Sequence, residues 1–311
     1  MVAESRRMKE IRYWGTTFSH RFAKELELDP HEALHQVIAL NFDLVRLCVC
    51  WDEVQPHDGA FEFEEYHRML QLCQERGQNL VLAVGMKAPR WPEFYIPAWL
   101  PQDPNSEITQ HATLNYLEQI TKEFQRYQNI FVWQIENEPL DSSGPEGWKI
   151  PEGFLAQEVE LVRGATDKPV LLTAWGNELR KRGNLSILQK SGTDILGIDL
   201  YYQQFVDRKL FGAGYVGPQD SAHQLYAEIS RTRLPSWVAE LQAEPWEKNQ
   251  AAYRADRTKS MSPDLLRQHI DNMKQLPVEA VLFWGVEYWI WRARQGDRRY
   301  IDVWNEVRSR S

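Results

Sequence analysis

Eight short β-rich apolar runs alternate with eight amphipathic helical stretches along the chain, and this alternation constrains the fold more than any other feature. The runs are Tyr13–Thr17, Leu44–Cys50, Leu80–Val84, Ile130–Glu136, Val170–Thr173, Ile195–Leu200, Trp237–Glu240 and Val281–Trp284. Helical patterns fall near 31–40, 64–75, 110–126, 152–165, 184–190, 222–231, 263–275 and 300–308. Asp29-Pro30 and Ser262-Pro263 each set an N-cap residue before a proline at the first helical position. Gly77, after the Leu72–Arg76 stretch, reads as a helix stop. A strand followed by a helix, eight times over, predicts the α/β class: a single (β/α)8 TIM barrel with elongated βα loops on its C-terminal face. An open doubly wound sheet is the alternative. It would carry a Gly-rich phosphate turn after the first strand, where GTTFSHRF stands instead.

Residues 1–311 fit one catalytic barrel, and no repeat or low-complexity linker marks a second domain. The formal charge is 36 − 44 = −8, so no basic surface points to nucleic acid or an anionic membrane. The opening MVAESRRMKE has no apolar h-region. No apolar run approaches the ~18 residues of a membrane span. A cytoplasmic location is the expectation. Cys48, Cys50 and Cys73 form no disulfide framework and read as buried thiols in a reduced compartment. The aromatic content is high, with 13 Trp, 12 Tyr and 12 Phe, and flat rings suit the C–H faces of sugars.

Loop lengths add direction. Helix-to-strand connections are brief, whereas those after strands three, six, seven and eight are long: APRWPEFYIPAWLPQDPNSE, QQFVDRKLFGAGYVGPQD, LQAEPWEKNQAAYRADRTKSM and VEYWIWRARQGDRRY. In a barrel these segments share the C-terminal face, where active sites are built.

Two motifs carry chemistry. FVWQIENEP at 131–139 ends a β-rich run in Asn137-Glu138-Pro139, and PSWVAELQAEPW at 235–246 ends another at Glu240. The glutamates lie 240 − 138 = 102 residues apart, three βα units further round the barrel. Glycoside hydrolysis needs two carboxyl groups flanking one bond, and strand ends on one face can supply them. Glu136 and Glu244 are the close rivals for the two roles. Arg46, inside an apolar strand, needs a carboxylate partner to be tolerated there.

On these residues the chain resembles the clan A glycoside hydrolases, whose acid/base ends strand four and whose nucleophile ends strand seven. The resemblance implies Glu138 as general acid/base, Glu240 as nucleophile, Asn137 as the partner of a sugar 2-hydroxyl and Arg46 as the arginine beside the nucleophile. The segment VRLCVCWDEVQPHDGAFEF is also similar to a pattern of family 42 and family 35 β-galactosidases. DILGIDLYYQQ is similar to a family 1 β-glucosidase segment that has Asn where Asp199 stands. Tyr201 matches the tyrosine that contacts the nucleophile, with Tyr202 as the fallback, and Trp284 in LFWGVEYW matches the tryptophan under the glycone. The third-strand end, Gly85-Met86-Lys87, departs from family 1, so the clan is assigned and the family is not.

The resemblance implies a retaining glycoside hydrolase that cleaves β-linked carbohydrate by double displacement, exo-acting on small β-glycosides or oligosaccharides. An endo-acting cellulase- or mannanase-like β-glycanase and a non-catalytic sugar-binding barrel are the alternatives. Glu287, Trp289 and Trp291, on the loop after strand eight, are further sugar contacts, with Trp51, Trp91, Trp99, Trp175 and Trp246 as subsite candidates. Neither cofactor nor metal is expected, since His20, His57 and His111 lack ligand spacing. Lys87 is the strand-end lysine that aldolase chemistry would require. Oligomeric state is not specified.

Overall fold

The computed structural model describes residues 11–208, 212–216 and 222–309. The opening MVAESRRMKE and parts of the long segment after the sixth barrel strand lie outside the described residues. The strands in chain order are β1 (Tyr13–Phe18), β2 (Leu44–Cys48), β3 (Asn79–Val84), β4 (Ile130–Ile135), β5 (Val170–Trp175) and β6 (Ile195–Leu200). They continue with β7 (Gln204–Arg208), β8 (Gly212–Val216), β9 (Ser236–Gln242) and β10 (Ala280–Trp284). All but β7 and β8 close into one barrel in the order β1-β10-β9-β6-β5-β4-β3-β2. Every neighbouring pair is parallel, with Tyr13 opposite Ala280 at the closing seam. β7 and β8 form a separate antiparallel hairpin within the connection after β6.

The predicted helices are present, among them Pro30–Ala39, Glu64–Glu75, Glu107–Phe124, Glu152–Ala165, Pro263–Met273 and Arg299–Arg308. Their starts follow from side-chain caps: Asp29 accepts from the Glu32 N–H, and Ser262 from the Leu265 N–H. One connection differs from expectation. VEYWIWRARQGDRRY is largely helix Val286–Arg294, because its apolar residues pack at helical spacing against the barrel. Among the described residues, no helix is long and apolar enough to cross a membrane.

Side chains alternate between two cores. Leu44, Val81, Val132, Leu171, Ile195, Trp237, Ala280 and Leu282 pack together inside the barrel, and a larger cluster fills the layer between strands and helices. Two residues above these interior positions come Arg46, Ala83, Gln134, Thr173, Gly197, Ala239 and Trp284. The polar members of this upper layer, Arg46, Gln134 and Thr173, prepare the site.

Candidate active site

Continuation of the strand pleat would turn Glu240 outward, because Trp237 and Ala239 already face the interior. A register shift prevents this: Ile198 pairs with Val238, but Asp199 pairs with Glu240. A bulge of this kind re-aims the side chain that follows it, and Glu240 lines a cavity at the C-terminal mouth. Gly197 makes room for the crowded strand, since a Cβ there would meet Ala239 at 3.0 Å and Thr173 at 2.9 Å.

β4 stops at Ile135, and the chain then passes through two left-handed residues, Glu136 (φ +55°) and Glu138 (φ +44°). The strand therefore does not carry Glu136 and Glu138 to the same side. Glu136 turns into the protein, where its carboxyl accepts the Met86 and Lys87 N–H groups at 2.7 and 2.6 Å. Gly85 permits that approach, because at φ +130° a Cβ would sit 2.5 Å from the Glu136 carboxyl. The departure noted at the third-strand end thus builds a socket for Glu136. Burial pushes Glu136 up to about 7, and it shares a fully buried site with Glu158. Glu138, in contrast, lines the cavity. Its N–H donates to Thr173 Oγ1 at 2.8 Å.

The two cavity glutamates differ in their neighbours. Glu240 accepts from Arg46 Nη2 at 2.6 Å and from the Tyr201 hydroxyl. Arg46 is fully buried and also donates to Thr17 Oγ1 at 2.9 Å and Gln134 Oε1 at 3.0 Å. Among the described residues, Glu138 has no guanidinium partner. Burial first, and then the nearby charge of Glu240, push its carboxyl well above the usual range.

Around the pair, Asn137, Tyr201 and Trp284 line the same cavity of about 480 Å³, with Arg90, Trp91, Glu93, Glu244 and Trp246. The Asn137 carbonyl oxygen accepts from Gln134 Nε2 at 3.1 Å and Thr173 Oγ1 at 3.3 Å. Of the nominated residues, Arg46, Asn137, Glu138, Tyr201, Glu240 and Trp284 converge here. Tyr202 lies apart, stacked on His269. Glu287 is fully buried behind the cavity wall, accepting from the Ser19 N–H at 2.5 Å and from Arg90 Nη2 at 3.1 Å. Burial raises it to about 7. Trp289 is not a cavity residue: the helix that replaces the expected loop turns it into the core, where its Nε1 donates to the Ala243 carbonyl at 2.7 Å.

Arg90 is the residue that sequence reasoning missed. Its guanidinium lies 4.2 Å from the Trp284 ring and 3.8 Å from Phe22, ion-paired with both Glu244 and Glu287. Its signal was a lone cation in the aromatic, proline-rich APRWPEF. Glu244 also accepts from the Tyr253 hydroxyl at 2.9 Å, so it supports the wall. Lys87 is buried, and its amino group donates to the carbonyls of Glu138 and Asp141 at 2.9 and 3.2 Å, which holds the loop that presents Glu138.

A parallel eightfold barrel with two glutamates at one mouth, one of them gripped by a buried arginine and a tyrosine, defines a barrel glycoside hydrolase. The model of the cellulase family (glycosyl hydrolase family 5) matches residues 10–196, and the chain belongs to this family. The match includes Glu138 and ends before Glu240. A curated relative, a β-galactosidase of Xanthomonas manihotis, is 25% identical over 169 residues, half of this chain and 27% of that protein. The chain thus spans about a quarter of that relative's length. A GH5_18 structure from Bifidobacterium longum subsp. infantis superposes with a TM-score of 0.66 at 16% identity, covering 96% of this chain and 79% of that one. A β-glucosidase from Exiguobacterium marinum gives 0.59 at 13% identity, covering 89% and 90%. A GH5_18 variant from Streptomyces cattleya, solved with Manb1-4GlcNAc, gives 0.62 at 14%, covering 88% and 70%. At these identities the likeness is one of fold.

Proposed function

We propose that the chain is a retaining β-glycosidase in which Glu240 attacks the anomeric carbon while Glu138 protonates the leaving oxygen. The observation that carries this reading is the unequal setting of two carboxyl groups on one cavity. Glu240 is gripped by Arg46 and Tyr201, as an attacking carboxylate should be. Glu138, held above the usual carboxylate range by burial and by Glu240, keeps a proton to give. Once Glu240 is esterified, its charge is gone and Glu138 can act as the base that activates water. Asn137 donates its amide N–H to a sugar hydroxyl, and Trp284 stacks under the glycone. Arg46 and Tyr201 hold Glu240, and Glu287 fixes Arg90 without touching substrate.

A cavity of about 480 Å³ lies toward the small end of ligand sites, which favours exo-action on small β-linked substrates. The endo-acting reading draws on Trp91, 68% exposed at the cavity rim, where a longer chain could stack.

A panel of aryl β-glycosides and small oligosaccharides, Manb1-4GlcNAc included, tests the reading, with NMR of the first-formed anomer on the substrate cleaved. Retention of the β-anomer is expected; inversion would overturn the mechanism. Glu240→Ala should lose at least roughly a thousandfold in kcat, with circular dichroism unchanged. Glu244→Ala should weaken substrate binding more than turnover. The opposite ranking of these two variants would move the nucleophile to Glu244.

A further inference from the structure

Asp199 is a third acid at the centre of the site. It stands on β6 directly opposite Glu240 in register and is fully buried. Among the described residues, neither of its oxygens meets an N–H or O–H donor. Arg46 gives it no hydrogen bond, because its nitrogens go to Thr17, Gln134 and Glu240. Tyr201, two residues on, gives its hydroxyl to Glu240. Among the described residues, the polar side chain it meets instead is the Glu138 carboxyl.

Two carboxyl groups can bond to each other only if one holds a proton. The groups facing Asp199 decide which one does. Glu240 from β9 and Glu138 from the end of β4 disfavour a further negative charge, against Arg46 from β2. Glu138 touches the cavity, whereas Asp199 is sealed from it, so ionisation is harder at Asp199. Burial and these neighbours hold Asp199 well above the ordinary aspartate value.

Building on the assignment of Glu138 as acid/base, we propose that Asp199 is a positioning residue that stays protonated through the catalytic cycle and donates its O–H to the Glu138 carboxylate. A buried acid kept neutral so that it can donate is a known solution to stabilising an oxyanion. Here the benefit falls on the second half-reaction. When the sugar is bound to Glu240, Glu138 is ionised and must face water; a hydrogen bond from Asp199 stabilises that form and fixes its orientation. The proton on Asp199 is not transferred, so Glu138 still takes the proton from water and passes it on in the next cycle.

The test compares Asp199→Asn, which keeps an N–H donor and the shape, with Asp199→Ala, which keeps neither. On an aryl glycoside with a very good leaving group the first step needs no acid, and kcat reports hydrolysis of the glycosyl-enzyme. Asp199→Ala should lose roughly ten- to a hundredfold in that kcat, the effect of removing one hydrogen bond to a charged group. Asp199→Asn should stay within about threefold. Equal loss in both variants overturns the proposal.

A second readout does not need turnover. The infrared difference spectrum of wild type minus Asp199→Asn at neutral pH should show the carbonyl band of a buried neutral carboxylic acid. The Glu136–Glu158 pair is present in both proteins and cancels. A carboxylate band in its place overturns the proposal even if the enzyme turns over as described. Absence of glycosidase activity in wild type, with the acid band present, would instead overturn the assignment of Glu138.

Discussion

A guanidinium with no exposed atom is tolerated inside a barrel only where its N–H groups find acceptors, and Arg46 finds three on three different strands: Thr17, Gln134 and Glu240. Removing it leaves Glu240 buried beside Tyr201 without its cation. Arg46→Met should therefore lower stability by roughly 3 kcal/mol or more, read by urea unfolding, and should also depress kcat. A variant as stable as wild type would mean that water reaches Glu240. The position of Arg46 was readable in the sequence because a charge inside an apolar strand demands an explanation, and Glu138 and Glu240 were readable as candidates because each closes an apolar β-rich run, although β4 itself stops at Ile135 and β9 runs on to Gln242. Trp289 was misplaced for the converse reason. Whether a residue after β10 faces the cavity depends on the backbone becoming helix there, and a tryptophan-rich segment looks alike as a loop wall or a core face. The contribution of Asp199 depends on the carboxyl it meets across the barrel, which spacing along the chain does not encode.

At the scale of elements, the end of β3, the turn after β4 and the helix Glu152–Ala165 form one support. Gly85 opens the backbone to Glu136, Glu136 takes two N–H groups from the β3 end, and Glu158 of the helix is buried against it, its oxygens without another partner among the described residues. Burial lifts both carboxyls above their unfolded values, Glu136 to about 7 and Glu158 well above the ordinary carboxylate range. Their contribution to stability is therefore fully present at pH values below the ordinary carboxylate range. It is lost as pH rises through the folded values, by about 1.4 kcal/mol per carboxyl for every pH step of one between its unfolded and folded values. Glu158→Gln cannot ionise and escapes its share of that loss. Its Tm should match wild type near pH 5 and exceed it by several degrees near pH 9. A gap that stays constant with pH would refute the raised ionisation of this pair. The helix itself was legible from its apolar spacing. The left-handed turns at Glu136 and Glu138 were not, since glutamate gives no local sign of a positive φ and the burial of Glu136 creates it.

Across the whole molecule, the barrel order followed from periodicity because each βα unit repeats the same local pattern, and only one closed arrangement accommodates eight of them. The hairpin of β7 and β8 was not foreseen, because its strands sit inside a connection between a barrel strand and its helix. Closure joins β1 to β10, and the Trp304 indole of the last helix donates to the Leu40 carbonyl at 2.9 Å, so the two ends of the described chain support each other. Removing the helix Arg299–Arg308 should abolish cooperative unfolding and turnover together, since Tyr300, Ile301, Val303 and Trp304 are all buried. Retained activity would show that the ring holds without that seal. The three thiols have a different consequence. Cys48, Cys50 and Cys73 are free and buried, all within the β2 unit that carries Arg46, and burial lifts Cys48 to about 12. Because these thiols are buried, alkylation under native conditions should wait on local opening, so the rate at which reagent is consumed would clock how often that unit parts from its neighbours.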